Sequence, residues 1–335
     1  MNVAIVGLGT VGETLVSLLL EFQELLPADE IFVIRRAVPA WDKPRVRRLE
    51  AAGATIVTRA PADGYPSPED VQERIEFVFD CGPNGHALAS QDEYDSWSSL
   101  RGAVAQGSET GFGPPFMTGV GHTQVAGAAR VQVVSCNTHG LSAILQALSG
   151  PRLENVEEAD FVIVRRSEDL GKSERLVAAN VVARHRDAIR GTHHAHDVAR
   201  LFREIDVEPL ITSSDITTPS QLLHAVRFRV TTKVALDAAE AFAARPWIAT
   251  TGRFDSDAIF ERGRRAGFVG RVWAHAVVVS NNLMQHGRTI TGWAFVPQEC
   301  NSIPSTVHAW LLQCEVADSD RLMEELQHRL AVSEI

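Results

Sequence analysis

Val3-Ala4-Ile5-Val6-Gly7-Leu8-Gly9-Thr10-Val11-Gly12 is the stretch that decides the reading of this chain. A short apolar run ends at Val6, a helix is expected from about Thr10, and apolar residues recur at helical spacing from Gly12 to Leu26. The three glycines have separate uses. Gly7 permits the tight turn, Gly9 lets the backbone approach a pyrophosphate, and Gly12 lets the helix pack on the strand. The free amides at the helix start then face the anion, with the helix dipole behind them. A Gly-x-Gly-x-x-Gly run is weak on its own, and the strand before it and helix after it supply its meaning. Gly7, Gly9, Thr10, Val11 and Gly12 are therefore the expected dinucleotide contacts.

The same rhythm continues outward. Strands are expected at Ile31–Ile34, Ala54–Val57, Phe77–Asp80 and Val131–Val134, with a helix at Val46–Ala52. Alternation of this kind predicts a Rossmann-type, doubly wound parallel sheet with right-handed crossovers. The second strand runs into Arg35-Arg36, where an NAD-selective site usually carries an acid for the ribose hydroxyls. Arginines there suit a 2′-phosphate, so the expected cofactor is NADP, with NAD as the alternative.

Beyond about residue 150 the texture changes. Strands are expected at Ala159–Arg166, Val177–Val182, Ile211–Ser213, Ala225–Thr231, Val272–Val279 and Thr289–Phe295. Helices are expected at Val198–Ile205, Val234–Ala244 and Ser256–Arg265, and Pro304–Leu330 is helical in pattern. This predicts an α+β domain with a mostly antiparallel sheet. The expected division is a dinucleotide-binding domain over 1–137, joined by the C-terminal segment 304–335, and a catalytic domain over 138–303.

The 335 residues carry 32 basic and 42 acidic side chains, a net charge of −10, and 45% hydrophobic residues. That is a globular composition whose overall charge repels nucleic acid. No apolar run approaches the roughly 20 residues of a membrane span. With no basic leader and four widely spaced cysteines, the expectation is a cytoplasmic protein without disulfides and without membrane or nucleic-acid partners.

One of those cysteines stands apart. Val131-Gln-Val-Val-Ser135-Cys136-Asn137-Thr138-His139-Gly140-Leu141 puts Cys136 between a strand and a helix expected to begin near His139. A helix start favours a thiolate and offers amides to an oxyanion formed on a carbonyl. Cys81, Cys300 and Cys314 have no such setting and read as small buried apolar residues. His193-His194-Ala195-His196-Asp197 has the look of a metal cluster, yet adjacent histidines on a loop rarely meet on one ion, so no metal is expected.

Ser135-Cys136-Asn137-Thr138-x-Gly140-Leu141, following the N-terminal glycine motif, resembles the archaeal-type (type II) glyceraldehyde-3-phosphate dehydrogenases. Val164-Arg165-Arg166, His193-His194-x-x-Asp197-Val198, Gln298-Glu299 and Pro304 extend the resemblance in order along the chain. It implies thiolate attack on an aldehyde, hydride transfer to NAD(P), and phosphorolysis of the thioester, or the reverse reduction. It further implies inorganic phosphate, a phosphorylated or anionic small-molecule substrate, and a homotetramer. By motif position His224 is the candidate base and His139 the runner-up. Asn137, Thr138, His139, Arg165, Arg166, His193 and His194 are the candidate substrate and phosphate contacts. Arg165 and Arg166 lie on opposite faces of one strand, so only one of them faces the site.

The sequence also departs from the family. His139 stands for a threonine, Ala195-His196 for Gly-Pro, and Thr306 for an asparagine, while the histidine stretch ending at His224 is altered. These changes suggest a divergent enzyme with a reshaped anion site, acting on a different acyl phosphate or aldehyde in biosynthesis. The alternative is a non-catalytic nucleotide-binding relative used for sensing or partner binding.

Overall fold

The computed structural model describes residues 1–60, 64–166, 185–219, 222–298 and 300–335. The strand expected at Val177–Val182 and the motif residue Glu299 lie outside them. The described residues form two compact units. One holds residues 1–118, 122–133 and 303–323, and the other holds 119–121, 134–302 and 324–335.

The first unit is built on β1 (Val3–Val6), β2 (Ile31–Arg35), β3 (Ala54–Thr58), β4 (Phe77–Asp80), β5 (Gly102–Gln106), β6 (Pro115–Phe116) and β7 (Arg130–Val133). All neighbours pair in parallel, in the order β3-β2-β1-β4-β5-β7-β6. All four residues of β1 are buried, because both faces of such a sheet are covered and a central strand needs no polar side. Val3 pairs with Ile31 on one side and with Phe77 on the other. The strand order thus reverses at β1, and the carboxyl end of that strand is where an open sheet of this type binds its ligand. Trp310, on the helix Ile303–Gln313, packs against Phe77 and Phe79 with ring centroids 6.2 and 5.6 Å away. The helical pattern over 304–330 resolves into two helices, Ile303–Gln313 and Ser319–Leu330, because Glu315 and Asp318 between them take positive φ. β5 and β6 were not legible as strands: Gly102-Ala-Val-Ala-Gln has a single branched residue, Val104, and β6 has only two residues.

The second unit is built on β8 (Val156–Arg166), β9 (Ile211–Thr218), β10 (His224–Thr232), β11 (Ile248–Thr251), β12 (Ala276–Val279), β13 (Met284–His286) and β14 (Thr289–Val296). Their order is β11-β12-β14-β10-β8-β9, with β13 beside β14. The β8–β9 and β11–β12 pairs are parallel and the others antiparallel, so the sheet is mixed and mostly antiparallel. Burial alternates strictly along β10 from His224 to Thr232, as it must in a strand with one covered face. The covering element is the helix Cys136–Ser149, which packs on β8, β10, β12 and β14.

Candidate active site

At the Gly7 turn the glycines divide as their backbones require. Gly7 has φ +90°, and a Cβ there would stand 3.0 Å from the Cys81 carbonyl oxygen. A Cβ on Gly12 would come within 2.1 Å of the Gly7 oxygen. Both positions are demanded by the fold. Gly9 is not: its backbone is extended, with φ −78° and ψ −167°, and a Cβ would meet no atom of the described residues within 4 Å. Gly9 precedes the helix Thr10–Glu21 and gives it no side-chain cap. Open space beside uncapped first-turn amides fits a dinucleotide pyrophosphate.

The two arginines at the end of β2 are not equivalent. Arg35 reaches Asp42 at 2.6 Å, and Arg45 holds the same carboxylate at 2.7 Å. Burial alone would raise the Asp42 carboxyl, but the bonds to Arg45 and Arg35 outweigh it and hold it below the usual range. Arg35 Nε and Nη1 are buried without hydrogen bonds among the described residues. Arg36 is exposed and makes no ion pair among them.

The cysteine helix begins three residues earlier than the apolar spacing indicated. Ser135 is its N-cap, its hydroxyl 2.9 Å from Thr138 Oγ1, and Cys136 is the first helical residue. The periodic apolar residues start at Leu141 because the first turn is stabilised by polar contacts instead. Asn137, Thr138 and His139 are all buried, while Cys136 stays partly exposed. Burial, with Asp80 adding to it, pushes the Cys81 thiol far up, and burial pushes Cys314 up to about 11. Cys300 is buried with its Sγ 2.6 Å from the Val272 oxygen.

His139 corrects an expectation. Its ring is wholly enclosed, with Nδ1 3.1 Å from the Ser135 oxygen and the His275 ring 5.2 Å away. Burial pushes it down to about 4, so it is neutral near pH 7. Neutral and wholly enclosed, the ring has no surface to offer a substrate phosphate or a substrate proton, so His139 drops out of the candidate anion site. Thr138 is committed to the cap. Asn137 is 4% exposed, yet its Oδ1 has no hydrogen-bond partner among the described residues. An orphaned acceptor beside a cysteine calls for a ligand or an ordered water.

Arg165 and Arg166 part company at the end of β8. Arg166 is buried and spends Nη1 on the Leu222 oxygen at 2.9 Å. Arg165 is 37% exposed and lies 3.4 Å from Asp215 Oδ2. His194 Nε2 stands 3.3 Å from the same oxygen, and the His193 ring is 3.8 Å from that of His194. Burial first, then His194 and Arg165, push His193 down to about 4. The two histidines open the helix His193–Arg203 rather than lying on a loop, and that helix packs on the cysteine helix. The structure therefore gathers Arg165, His193 and His194 and leaves Arg166 out. Asp215, fully buried on β9, joins them and was missed by sequence reading, which treated Ile211–Ser213 only as a strand.

His224 is the first residue of β10 and is 6% exposed. Its Nδ1 accepts from the Arg166 amide at 3.1 Å, and the Gln298 side-chain amide lies 2.5 Å from Nε2. A neutral imidazole that accepts at Nδ1 carries its proton on Nε2, and the Gln298 amide can accept that proton only with its oxygen and nitrogen exchanged. The lone pair that a base needs is thus committed to Arg166. Asn301 is a second residue that sequence reading missed. It is wholly buried and donates from Nδ2 to the Cys136 oxygen at 2.9 Å, fixing the peptide that carries the thiol.

With this geometry in view, the comparisons with known proteins are informative. Glyceraldehyde-3-phosphate dehydrogenase of Halobacterium salinarum is 29% identical over 199 residues, 58% of this chain and 54% of that protein. The chain thus spans about half the length of that relative. The enzyme of the same name from Sulfurisphaera tokodaii is 23% identical over 92% of this chain and 91% of its own. That from Methanococcoides burtonii is 24% identical over 97% of each. The chain is a distant relative of archaeal glyceraldehyde-3-phosphate dehydrogenases. No family model matches. Nothing in these relatives favours the non-catalytic alternative. No helix among the described residues is long and apolar enough to cross a membrane.

Proposed function

We propose that the chain is an NAD(P)-dependent phosphorylating aldehyde dehydrogenase working through a thioester on Cys136. The observation that carries this reading is Cys136 itself: a partly exposed thiol at the first position of a 14-residue helix, on which packs the helix that opens with His193 and His194. The archaeal relatives, glyceraldehyde-3-phosphate dehydrogenases by name, support it. Gly7, Gly9, Thr10, Val11 and Gly12 would hold the dinucleotide, and the open space at Gly9 fits its pyrophosphate. Arg36, with the free edge of Arg35, would take a 2′-phosphate, which favours NADP over NAD. When bound, the nicotinamide supplies the hydride acceptor.

The remaining steps belong to the chain. Cys136 Sγ attacks the aldehyde carbon, and the first-turn amides face the oxyanion. As hydride leaves the hemithioacetal, its hydroxyl proton passes to a base, leaving a thioester. Phosphate attacks the thioester carbonyl, and the acyl phosphate departs as the Cys136 thiolate re-forms. His224 is the proposed base, and taking the proton requires it to release the Arg166 amide. Arg165, His193 and His194 hold the phosphorylated or otherwise anionic end of the substrate, with an arginine fork suited to that task.

The test is dinucleotide reduction with glyceraldehyde 3-phosphate and related phosphorylated aldehydes, with and without inorganic phosphate. Phosphate-dependent reduction of NADP ahead of NAD is the expected result. Binding of either dinucleotide with no turnover of any aldehyde would overturn the reading.

A further inference from the structure

We propose that His122, His308 and Asp320 form a binding site for one divalent metal ion of the zinc class. The three lie in the first unit, outside the groups assigned to catalysis. His122 opens the short helix His122–Val125, His308 sits midway along Ile303–Gln313, and Asp320 lies in the first turn of Ser319–Leu330. Their ligating atoms all lie within 4.8 Å of one another.

The geometry suits a small tetrahedral ion. His308 Nε2 and Asp320 Oδ1 are 3.3 Å apart. Bonds of about 2.0–2.1 Å to a tetrahedral zinc give ligand–ligand edges of about 3.3 Å. The His308 side chain is 2% exposed, and its Nε2 meets the Asp320 carboxylate at 3.3 Å without a well-aligned hydrogen bond among the described residues. A buried ring nitrogen in that state calls for a partner. Its other nitrogen is 3.3 Å from Thr118 Oγ1, the kind of outer contact that orients a ligating imidazole. Phe116 packs against both rings, which stand 4.7 Å apart and nearly perpendicular. Asp320 is 78% exposed, which leaves water access to the fourth position.

The comparison with His193, His194 and Asp215 sharpens the choice. Those ligating atoms also lie within 4.8 Å of one another, but Arg165 stands 3.4 Å from the Asp215 carboxylate and makes that place suited to anions. No lysine or arginine among the described residues is ion-paired with Asp320, and the adjacent Arg321 turns to Asp318. Two imidazoles and one carboxylate select zinc, cobalt or nickel over magnesium or calcium. The bound ion would tie together the starts of the helices His122–Val125 and Ser319–Leu330 and the middle of Ile303–Gln313.

The experiment uses the full chain after chelator treatment and dialysis, titrated with Co²⁺ and Zn²⁺. One equivalent of Co²⁺ should bind with visible ligand-field bands and no near-ultraviolet thiolate band, and Zn²⁺ should displace it and raise Tm. His122→Gln, which keeps a polar side chain of similar reach, and Asp320→Asn, at an exposed carboxylate, should each weaken binding about tenfold or more and change the metal-free Tm little. Mg²⁺ should do nothing. Binding untouched by both substitutions would overturn the proposal. So would a thiolate band that disappears in Cys136→Ser, or the absence of any bound Co²⁺, which would leave the triad as an imidazole–carboxylate ion pair only.

Discussion

At the Gly7–Thr10 turn the space beside the backbone is open, and at the Ser135–Cys136 turn it is filled. Both are strand-to-helix turns. In the first, Gly9 has no atom of the described residues within 4 Å of where a Cβ would stand, so the backbone itself is what the turn presents. In the second, Asn137, Thr138 and His139 are buried, and Cys136 remains partly exposed. One turn is suited to bind an anion through amides, and any side chain would be in the way. The other is suited to hold one reactive atom still, and its neighbours serve as packing. A helix N-terminus is common to both, and what surrounds it sets the use.

The largest effect should come from the filled turn. Cys136→Ser should lower phosphate-dependent aldehyde oxidation by about 10³-fold or more. Dinucleotide affinity and Tm, read by fluorescence titration and calorimetry, should stay near those of the parent. Equal loss of dinucleotide binding would break the division of labour between the turns.

Arg165 and Arg166 extend the contrast to neighbouring positions. A charge-assisted hydrogen bond contributes about 1.5–3 kcal/mol. Arg165→Ala should therefore raise KM for a phosphorylated aldehyde roughly ten- to hundredfold. Arg166→Ala should instead lower stability, by about 1–3 kcal/mol for the orphaned Leu222 oxygen and lost packing. The reverse assignment, in steady-state kinetics and denaturant melts, would move the anion cluster to the other face of β8.

The open turn is sharpened by two glycines. Gly9→Val should weaken dinucleotide binding about tenfold or more, with Tm unchanged, since its backbone is one any residue adopts. Gly12→Ala should cost about 1–3 kcal/mol of stability, because the new Cβ meets the Gly7 oxygen. Titration calorimetry beside thermal melts separates the two outcomes.

The last effect is confined to acid pH. His139 is held at about 4 in the folded chain, below its value of about 6.5 when unfolded. The unfolded state therefore binds the extra proton between those values. The contribution is fully present above about pH 6.5 and is lost as pH falls to about 4. His139→Leu should flatten the acid limb of stability against pH by up to about 1.4 kcal/mol per unit. An unchanged limb would place the ring in water.

Much of this was legible in the sequence because local rules governed it. The Gly7–Gly12 run, β1 to β4 and the cysteine turn follow from periodicity and glycine chemistry. The rest depended on tertiary partners. Asp42 meets Arg35 only after the chain turns back through seven residues, and Asp215 meets Arg165 across a parallel strand pair. Asn301 reaches the Cys136 oxygen from 165 residues away. His139 looked like a site residue by its place in the motif, and side-chain direction on the first helical turn put it inside instead. No single-sequence pattern encodes these pairings.

The central claim is a thioester on Cys136, and mass spectrometry of the trapped intermediate tests it most directly. The protein is mixed with a phosphorylated aldehyde and NADP in phosphate-free buffer, quenched in acid and digested. The account predicts one acyl group per chain, on the peptide containing Cys136, discharged when phosphate is added before the quench. Turnover with that peptide unmodified, or an acyl group on any other residue, would contradict it.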